Sequence, residues 1–473
     1  MPGSVLWPYR CAMQTVEHLL ARARDSYACG DDAAAKTQYL EVLKLDPCEL
    51  NALSELAALA LASGHRSAAR TAYQQAVRCH PGYAAALVEL GNLELLDHGA
   101  NSAQQHFEAA LRLDADFPPA HQGLARALMA QGDSAAAESH FRSGFTGHAL
   151  VPLPFRGPGT PLRVLLLVST HFGNVSTSEF LDPRMFAVLV LYVEYFDTTQ
   201  SLPPHDLVFN AIGDADLCAD ALRAALGVLK FSAAPLINAP QRVLKSGRLE
   251  NARRLGSLVG VVAAATRRVG RADLPKLLAE GDAGFPMLIR SPGFHMGSHF
   301  ARAHSGEELL RAAARLPGDE LLVMEFLDAS GADGMTRKYR VMIIDGQLYP
   351  LHLAISADWK VHYFSAAMAS DPSFRDEERR FLEDMKAAVG VAGVGALLRI
   401  AEELGLDYAG IDFGLRPDGT VLLFEANATM VIAAPPIDPV WDYRRAAIER
   451  ARRAAIELVR TRAKAHSQAA KPD

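Results

Sequence analysis

The stretch Gly410-Ile-Asp-Phe-Gly-Leu-Arg-Pro-Asp-Gly-Thr-Val-Leu-Leu-Phe-Glu-Ala-Asn427 decides the fold of the C-terminal half. Its apolar runs flank Arg416-Pro-Asp-Gly419, and an Asp-Gly turn between two such runs predicts a β-hairpin. Pairing the strands sets Asp412 beside the strand that carries Glu425. Glu425 and Asn427 are two residues apart and so share one face. Three oxygen-bearing side chains therefore converge, and hard oxygen donors that leave room for water and phosphate are what magnesium takes. Solvated hairpin residues are the alternative, but Glu425 and Asn427 alternate with apolar neighbours.

Working upstream, Arg337-Lys-Tyr-Arg340-Val-Met-Ile-Ile-Asp345-Gly346 predicts a strand ending in a second hairpin turn. Before it, Leu321-Leu-Val-Met-Glu325-Phe326-Leu327-Asp328 is an apolar strand leading into a short acidic connector. Earlier still, Phe285 to Arg302 predicts strand, glycine-containing loop, strand, with Arg290 closing the first strand and Gly293 and Gly297 in the loop. Glycines let backbone N–H groups approach phosphate oxygens, and a nearby arginine balances their charge.

In this order the motifs resemble the ATP-grasp superfamily, nearest to its glutathione synthetase and D-alanine:D-alanine ligase branch, over roughly residues 160 to 460. The resemblance implies that Asp412, Glu425 and Asn427 hold two magnesium ions and that Arg340 faces the transferred phosphoryl group. Arg290 and Arg248 stand where relatives carry nucleotide-phosphate lysines. The connector Glu325, Phe326, Leu327, Asp328 matches the adenine-binding hinge, with the backbone of Phe326 and Leu327 pairing with the base. The loop 293–299 matches the flexible phosphate cover, and Lys338 lies where relatives have an acid near the ribose. The implied cofactors are ATP and two Mg²⁺, and the implied activity is carboxylate–amine ligation through an acyl phosphate. A small-molecule kinase and a noncatalytic nucleotide-binding scaffold are the competing readings.

The first third has a different order. Ala35, Ala69, Ala103 and Ala137 are each 34 residues apart, as are Tyr39, Tyr73, Phe107 and Phe141. Gly30, Gly64 and Gly132 mark a turn, which His98 and Gly99 are expected to shift in the third unit. Small residues at a helix crossing with an aromatic one turn later describe a helical hairpin that buries its apolar face only by stacking on its neighbours. This resembles the tetratricopeptide repeat in four units over about 14–147. The resemblance implies a surface that docks a peptide or partner protein, with dimerisation or simple stabilisation as the alternative.

Between these regions, residues 144–161 hold four glycines and four prolines without a helical period and are expected to connect them. Arg163-Val-Leu-Leu-Leu-Val-Ser169 then begins an alternation of short buried strands and helices, which predicts a small unit with a parallel sheet. The loop His171–Ser178 at its carboxyl edge is either a substrate loop or a plain turn. The expected organisation is multidomain: an all-α repeat solenoid (1–147), a linker (148–161), an α/β pre-ATP-grasp unit (162–240), an α+β ATP-grasp fold (241–465) and a disordered tail (466–473).

Composition excludes much else. Half of the 473 residues are apolar, 22% are charged, and 35 glycines and 26 prolines are ordinary globular usage. A net charge of −6 gives no reason to expect nucleic acid or an anionic membrane as partner. Five cysteines without a Cys-x-x-Cys pair fit a reducing compartment and small buried apolar side chains, so the chain is expected to be cytoplasmic. No Gly-x-Ser-x-Gly motif supports an acyl-enzyme nucleophile. His295 and His299 flank a glycine rather than a helical turn, which argues against zinc. The segment Pro350–Ser365, rich in aromatic and cationic groups, is either a lid on the acceptor side or core packing.

Overall fold

The computed structural model describes residues 6–171, 173–279, 284–293, 299–361 and 367–469. The described residues fall into two compact units, one within Met1–Arg163 and Asp182–Gln200, the other within Val164–Leu181 and Ser201–Asp473.

The first unit opens with eight helices: α1 (Leu6–Ala28), α2 (Asp32–Leu45), α3 (Leu50–Ala62), α4 (Arg66–Cys79), α5 (Ala84–Leu96), α6 (Ala100–Leu113), α7 (Pro118–Gln131) and α8 (Ser134–Phe145). They stack as four hairpins. The alanine column is wholly buried, and Tyr39, Tyr73, Phe107 and Phe141 are each no more than 7% exposed, so small residues let the helices approach while the aromatics fill the space beside them. Gly30, Gly64 and Gly132 take left-handed φ values of 85°, 77° and 88°, and His98 takes 62° at the same step of the third hairpin. The expected shift of that turn does not occur: His98 itself adopts the backbone that glycine adopts elsewhere.

The cysteine expectation is corrected here as well. Cys48 and Cys79 form a disulfide with their Cα atoms 5.5 Å apart, Cys29 is an exposed thiol and Cys218 a buried one. The pair is 31 residues apart because the hairpin α3–α4 returns its end to its beginning.

The strands, in chain order, are β1 (Leu150–Pro152), β2 (Leu162–Val168), β3 (Phe186–Tyr192), β4 (Leu207–Asn210), β5 (Leu236–Ile237), β6 (Val261–Ala263), β7 (Thr266–Gly270), β8 (Met287–Arg290), β9 (Phe300–Ala303), β10 (Glu320–Glu325), β11 (Thr336–Ile344), β12 (Gln347–Ser356), β13 (Tyr408–Leu415) and β14 (Val421–Asn427). In the first unit β1 pairs antiparallel with β3, Leu150 opposite Leu191.

In the second unit β2, β4 and β5 form a parallel ladder, as the alternation of strands and helices predicts. An antiparallel sheet β7-β10-β8-β9 packs its apolar face on helices Leu274–Ala279 and Gly306–Arg315 through Ile289, Leu309, Leu321 and Val323. The largest sheet, β12-β11-β13-β14-β6, is antiparallel except for its β14–β6 edge. Helices Pro372–Glu383, Met385–Leu404 and Asp442–Ala469 contact its strands. The last of these runs past 466, where a tail is expected; 470–473 lie outside the described residues. Strand periodicity divides β11 between two environments. Tyr339 stacks on Phe413 and meets Phe381 edge-on, and Arg337 bonds to Glu377 at 2.9 Å, while Lys338 and Arg340 point to the opposite face. Among the described residues no helix is long and apolar enough to cross a membrane.

Candidate functional site

The opposite face of the large sheet gathers the candidate residues. Register sets Arg340 opposite Asp412 and Asp412 opposite Glu425, with Asn427 opposite Gly410. A bulge after Asp412 leaves Phe424 as an extra residue on β14, so that Glu425 meets Asp412 while Ala426, 3% exposed, stays in the core. The hairpin read from the sequence is thus present, and it brings the three oxygen donors together.

What holds them was less legible. Asp412, 2% exposed, accepts from both Nε (2.6 Å) and Nη2 (2.8 Å) of Arg340, and Lys338 Nζ lies 2.9 Å from its Oδ2. Burial pushes its carboxyl up, but the charges of Arg340 and Lys338 prevail and hold it far below the usual carboxylate range. Glu425 Oε1 accepts from Arg248 Nη2 at 2.7 Å and from Asn427 Nδ2 at 2.9 Å. Asn427 Oδ1 in turn accepts from the backbone and hydroxyl of Thr429. Arg290, at the end of β8, is 6% exposed with its guanidinium 5.4 Å from the Phe300 ring centre. Burial first, then the charge of Arg248, pushes it down to about 10.

Asp214 and Asp216 also act on Arg290. Neither was singled out from the sequence. Asp214 Oδ1 accepts from the backbone of Asp216 and Leu217, and Asp216 Oδ2 accepts from the N–H of Arg248, so this acidic turn anchors the start of helix Arg248–Leu255.

The connector lies beside β6 and β7. Glu325 N–H donates to Ala265 O at 2.9 Å, Leu327 packs on Ala329, Leu422, Val262 and Ala264, and Asp328 caps Ser330. The Arg302 guanidinium lies 5.0 Å from the Phe326 ring and 5.2 Å from that of Trp359, which also meets Phe300 edge-on. That cation–aromatic stack escaped the sequence reading because its members come from three strands or their ends. It fixes Trp359 of the 350–365 segment against β9; His362 and residues up to 365 lie outside the described residues. Gly293 has φ 77° and sits against Leu217, while Gly297 and His295 lie outside the described residues.

Among the described residues no group of three histidine, cysteine, aspartate or glutamate side chains could hold a metal. The donors Asp412, Glu425 and Asn427 are already hydrogen-bonded, and at that range two cations meet the single charge of Asp412. A bare divalent ion would have to displace a cation, whereas a polyanion carrying its own ion would draw Lys338, Arg340, Arg248 and Arg290 towards itself and uncover the oxygens. The donors fit magnesium in company with a polyphosphate. Electron paramagnetic resonance is therefore expected to show Mn²⁺ binding at least about tenfold tighter with a nonhydrolysable ATP analogue than without it, a coupling of about 1.4 kcal/mol. Equal Mn²⁺ affinity in both conditions would remove the charge argument.

Residues 97–144 match a family model described as tetratricopeptide repeat. No curated protein matches the chain. Among solved structures, MamA (residues 41 to end) from Desulfovibrio magneticus RS-1 is 25% identical, over 27% of this chain and 73% of its own, with a TM-score of 0.25. A thermophilic TPR protein from Thermus thermophilus is 21% identical over 28% and 73%, with a TM-score of 0.25. The D-alanine-D-alanine ligase from Coxiella burnetii is 10% identical over 65% of this chain and 96% of its own, with a TM-score of 0.40. Through α6 to α8, then, the helical array carries the tetratricopeptide repeat pattern.

Proposed function

We propose that the second unit is an ATP-dependent carboxylate–amine ligase. The observation that carries this reading is the set of four cations, Arg248, Arg290, Lys338 and Arg340, gathered around the in-register pair Asp412 and Glu425. A carboxylate does not form an amide directly because its oxygen leaves poorly. Transfer of the γ-phosphoryl group of ATP to that oxygen releases ADP; attack of the amine nitrogen on the carbonyl carbon then releases phosphate and a proton. No side-chain nucleophile is required, so catalysis is positioning and charge stabilisation.

In this reading Arg290 and Arg248 grip the triphosphate, each guanidinium offering a planar fork to phosphate oxygens. Arg340 turns its fork from Asp412 to the transferring group. The connector 325–328 holds the base, and Arg302 and Trp359 stiffen the wall behind Phe326. Asp412, Glu425 and Asn427 would hold the magnesium that accompanies the nucleotide, which would supply withdrawal of charge from the moving phosphoryl group. Among the described residues, the loop at 173–178 and the stretch 357–361 that follows β12 are the places for acid and amine. The catalytic region is the second unit, Val164–Leu181 with the chain from Ser201 onward, and the repeats supply an interaction surface.

The test is a mass-spectrometric screen of acid and amine pools with ATP and Mg²⁺. A ligase shows ADP and phosphate release that rises only when both acid and amine are present, with a condensed product. A phosphorylated product from one acceptor indicates a kinase, and no turnover in any pool indicates a noncatalytic scaffold; either result overturns the proposal. Within an active preparation, Arg290→Ala is expected to raise KM for ATP about tenfold or more, equivalent to about 1.4 kcal/mol if KM follows binding. Arg290→Lys keeps the charge and recovers much of the loss. An Ala variant with unaltered ATP use would remove Arg290 from the site.

A further inference from the structure

The odd-numbered helices of the repeats share a face, and it is lined by polar groups at repeat spacing: Tyr27 and Arg24 on α1, Glu55 on α3, Glu89 and Asn92 on α5 and Arg126 on α7. Arg126 reaches back to Asn92 Oδ1 at 3.3 Å. Across the first two hairpins this face already carries a guest from the same chain. Arg156 donates through Nη1 to Glu55 Oε2, and its guanidinium lies 5.5 Å from the ring centre of Tyr27. Arg184 lies over the same ring at 5.7 Å, extends Nη1 to Asp32 Oδ1 at 3.4 Å and is braced by Asp182 Oδ2 at 2.9 Å. Arg156 and Glu55 are only 23% and 21% exposed, so the contact is largely covered.

The two arginines sit at the tip of the ribbon built on β1 and β3. Leu153 N–H donates to Val188 O and Arg156 N–H to Pro183 O, each at 2.9 Å. A Cβ on Gly157 would lie 1.9 Å from Arg184 O, so the close crossing at the tip needs glycine. At the other end Tyr192 and Tyr195 pack on Phe145 of α8, with ring centres 4.2 and 5.6 Å away. The ribbon therefore reaches from the fourth hairpin to the first.

We propose that the face formed by Tyr27 and Glu55 is an arginine-reading groove whose resident ligand is the chain's own segment 153–158, with Arg184 held beside it by Asp32 of α2. A carboxylate beside an aromatic face suits a guanidinium, which offers a fork to one and a flat cation to the other. The peptide-docking role expected of the repeats is thus performed in cis. A tethered segment has an effective concentration in the millimolar range, so it excludes any free peptide of the same chemistry that binds more weakly than that.

The proposal is tested with a fluorescent synthetic peptide spanning 150–159 (Leu-Val-Pro-Leu-Pro-Phe-Arg-Gly-Pro-Gly), titrated against the full chain. Arg156→Ala, which unseats the resident arginine, is expected to bind the peptide at least about tenfold more tightly than the unaltered chain, and adding Glu55→Gln should return binding to the weak level. A peptide with glutamine in place of arginine should not bind. Equal affinity for the unaltered chain and Arg156→Ala, or no binding to an Arg156→Ala chain with unchanged circular dichroism, would overturn it. Should Arg156→Ala not fold, a charge exchange decides: Glu55→Arg and Arg156→Glu should each lower Tm, and the pair together should recover most of the loss. Additive losses would show that the two side chains do not meet.

Discussion

Asp412→Ala is expected to cost the second unit about 3–5 kcal/mol in urea denaturation followed by tryptophan fluorescence, because it strands two cations at a buried carboxylate's place. Lys338 and Arg340 are 19% and 24% exposed, too covered for water to replace the lost partner in full. The cause is separable from loss of shape. Replacing all three groups together, with Asp412→Leu, Lys338→Met and Arg340→Met, removes charges and partner at once and should restore most of the stability. The pH dependence has a definite sign. Asp412 is held below its unfolded value, so its contribution is present above the ordinary aspartate range near 4 and is lost as pH falls through and below it. The Asp412→Ala chain should therefore lose less stability than the unaltered chain on acidification. A cost under about 1 kcal/mol would mean that the three charges are solvated.

Removal of residues 1–149 should leave an insoluble chain. Cutting near the end of the helices looks natural from the sequence, where 144–161 holds four glycines and four prolines, and on that reading a chain without residues 1 to 150 would stay soluble and bind ATP. The structure places 150–163 and 182–200 with the repeats. Without them Tyr192 and Tyr195 lose Phe145, and Arg156 and Arg184 lose Glu55, Tyr27 and Asp32. Exposed apolar patches of that kind drive association. Sedimentation after expression, with dye binding to exposed apolar surface, reads the outcome. A monomeric 150–473 chain without dye binding would show that the ribbon does not depend on the helices.

Local patterns carried much of this molecule. The alanine and aromatic columns at 34-residue spacing located the hairpins, since each repeat buries the same positions, and the turn Arg416–Gly419 fixed the β13–β14 pairing. What escaped depends on meetings between distant positions. Nothing near Lys338 announces that it will stand on Asp412, 74 residues on, although its place two residues before Arg340 puts both on one strand face. Cys48 and Cys79 have no motif spacing, and their meeting follows from the return of a hairpin. Arg156 reads as part of a linker until Glu55, 101 residues earlier, is brought against it.

Strand β11 has a further consequence. Residues 337 and 339 answer to the helical layer, and 338 and 340 to the polar face, so neighbours in sequence are strangers in space. Beyond Arg340, where β12 carries Leu351 as an extra residue, the division ends: Val341 to Ile344 are all within 1% of full burial. The two sides of the strand therefore answer to different forces, charge pairing on one and packing on the other. An acid at 338 would set a second carboxylate against buried Asp412, so the choice at this position is bound by charge while its neighbours 337 and 339 are bound by the layer behind.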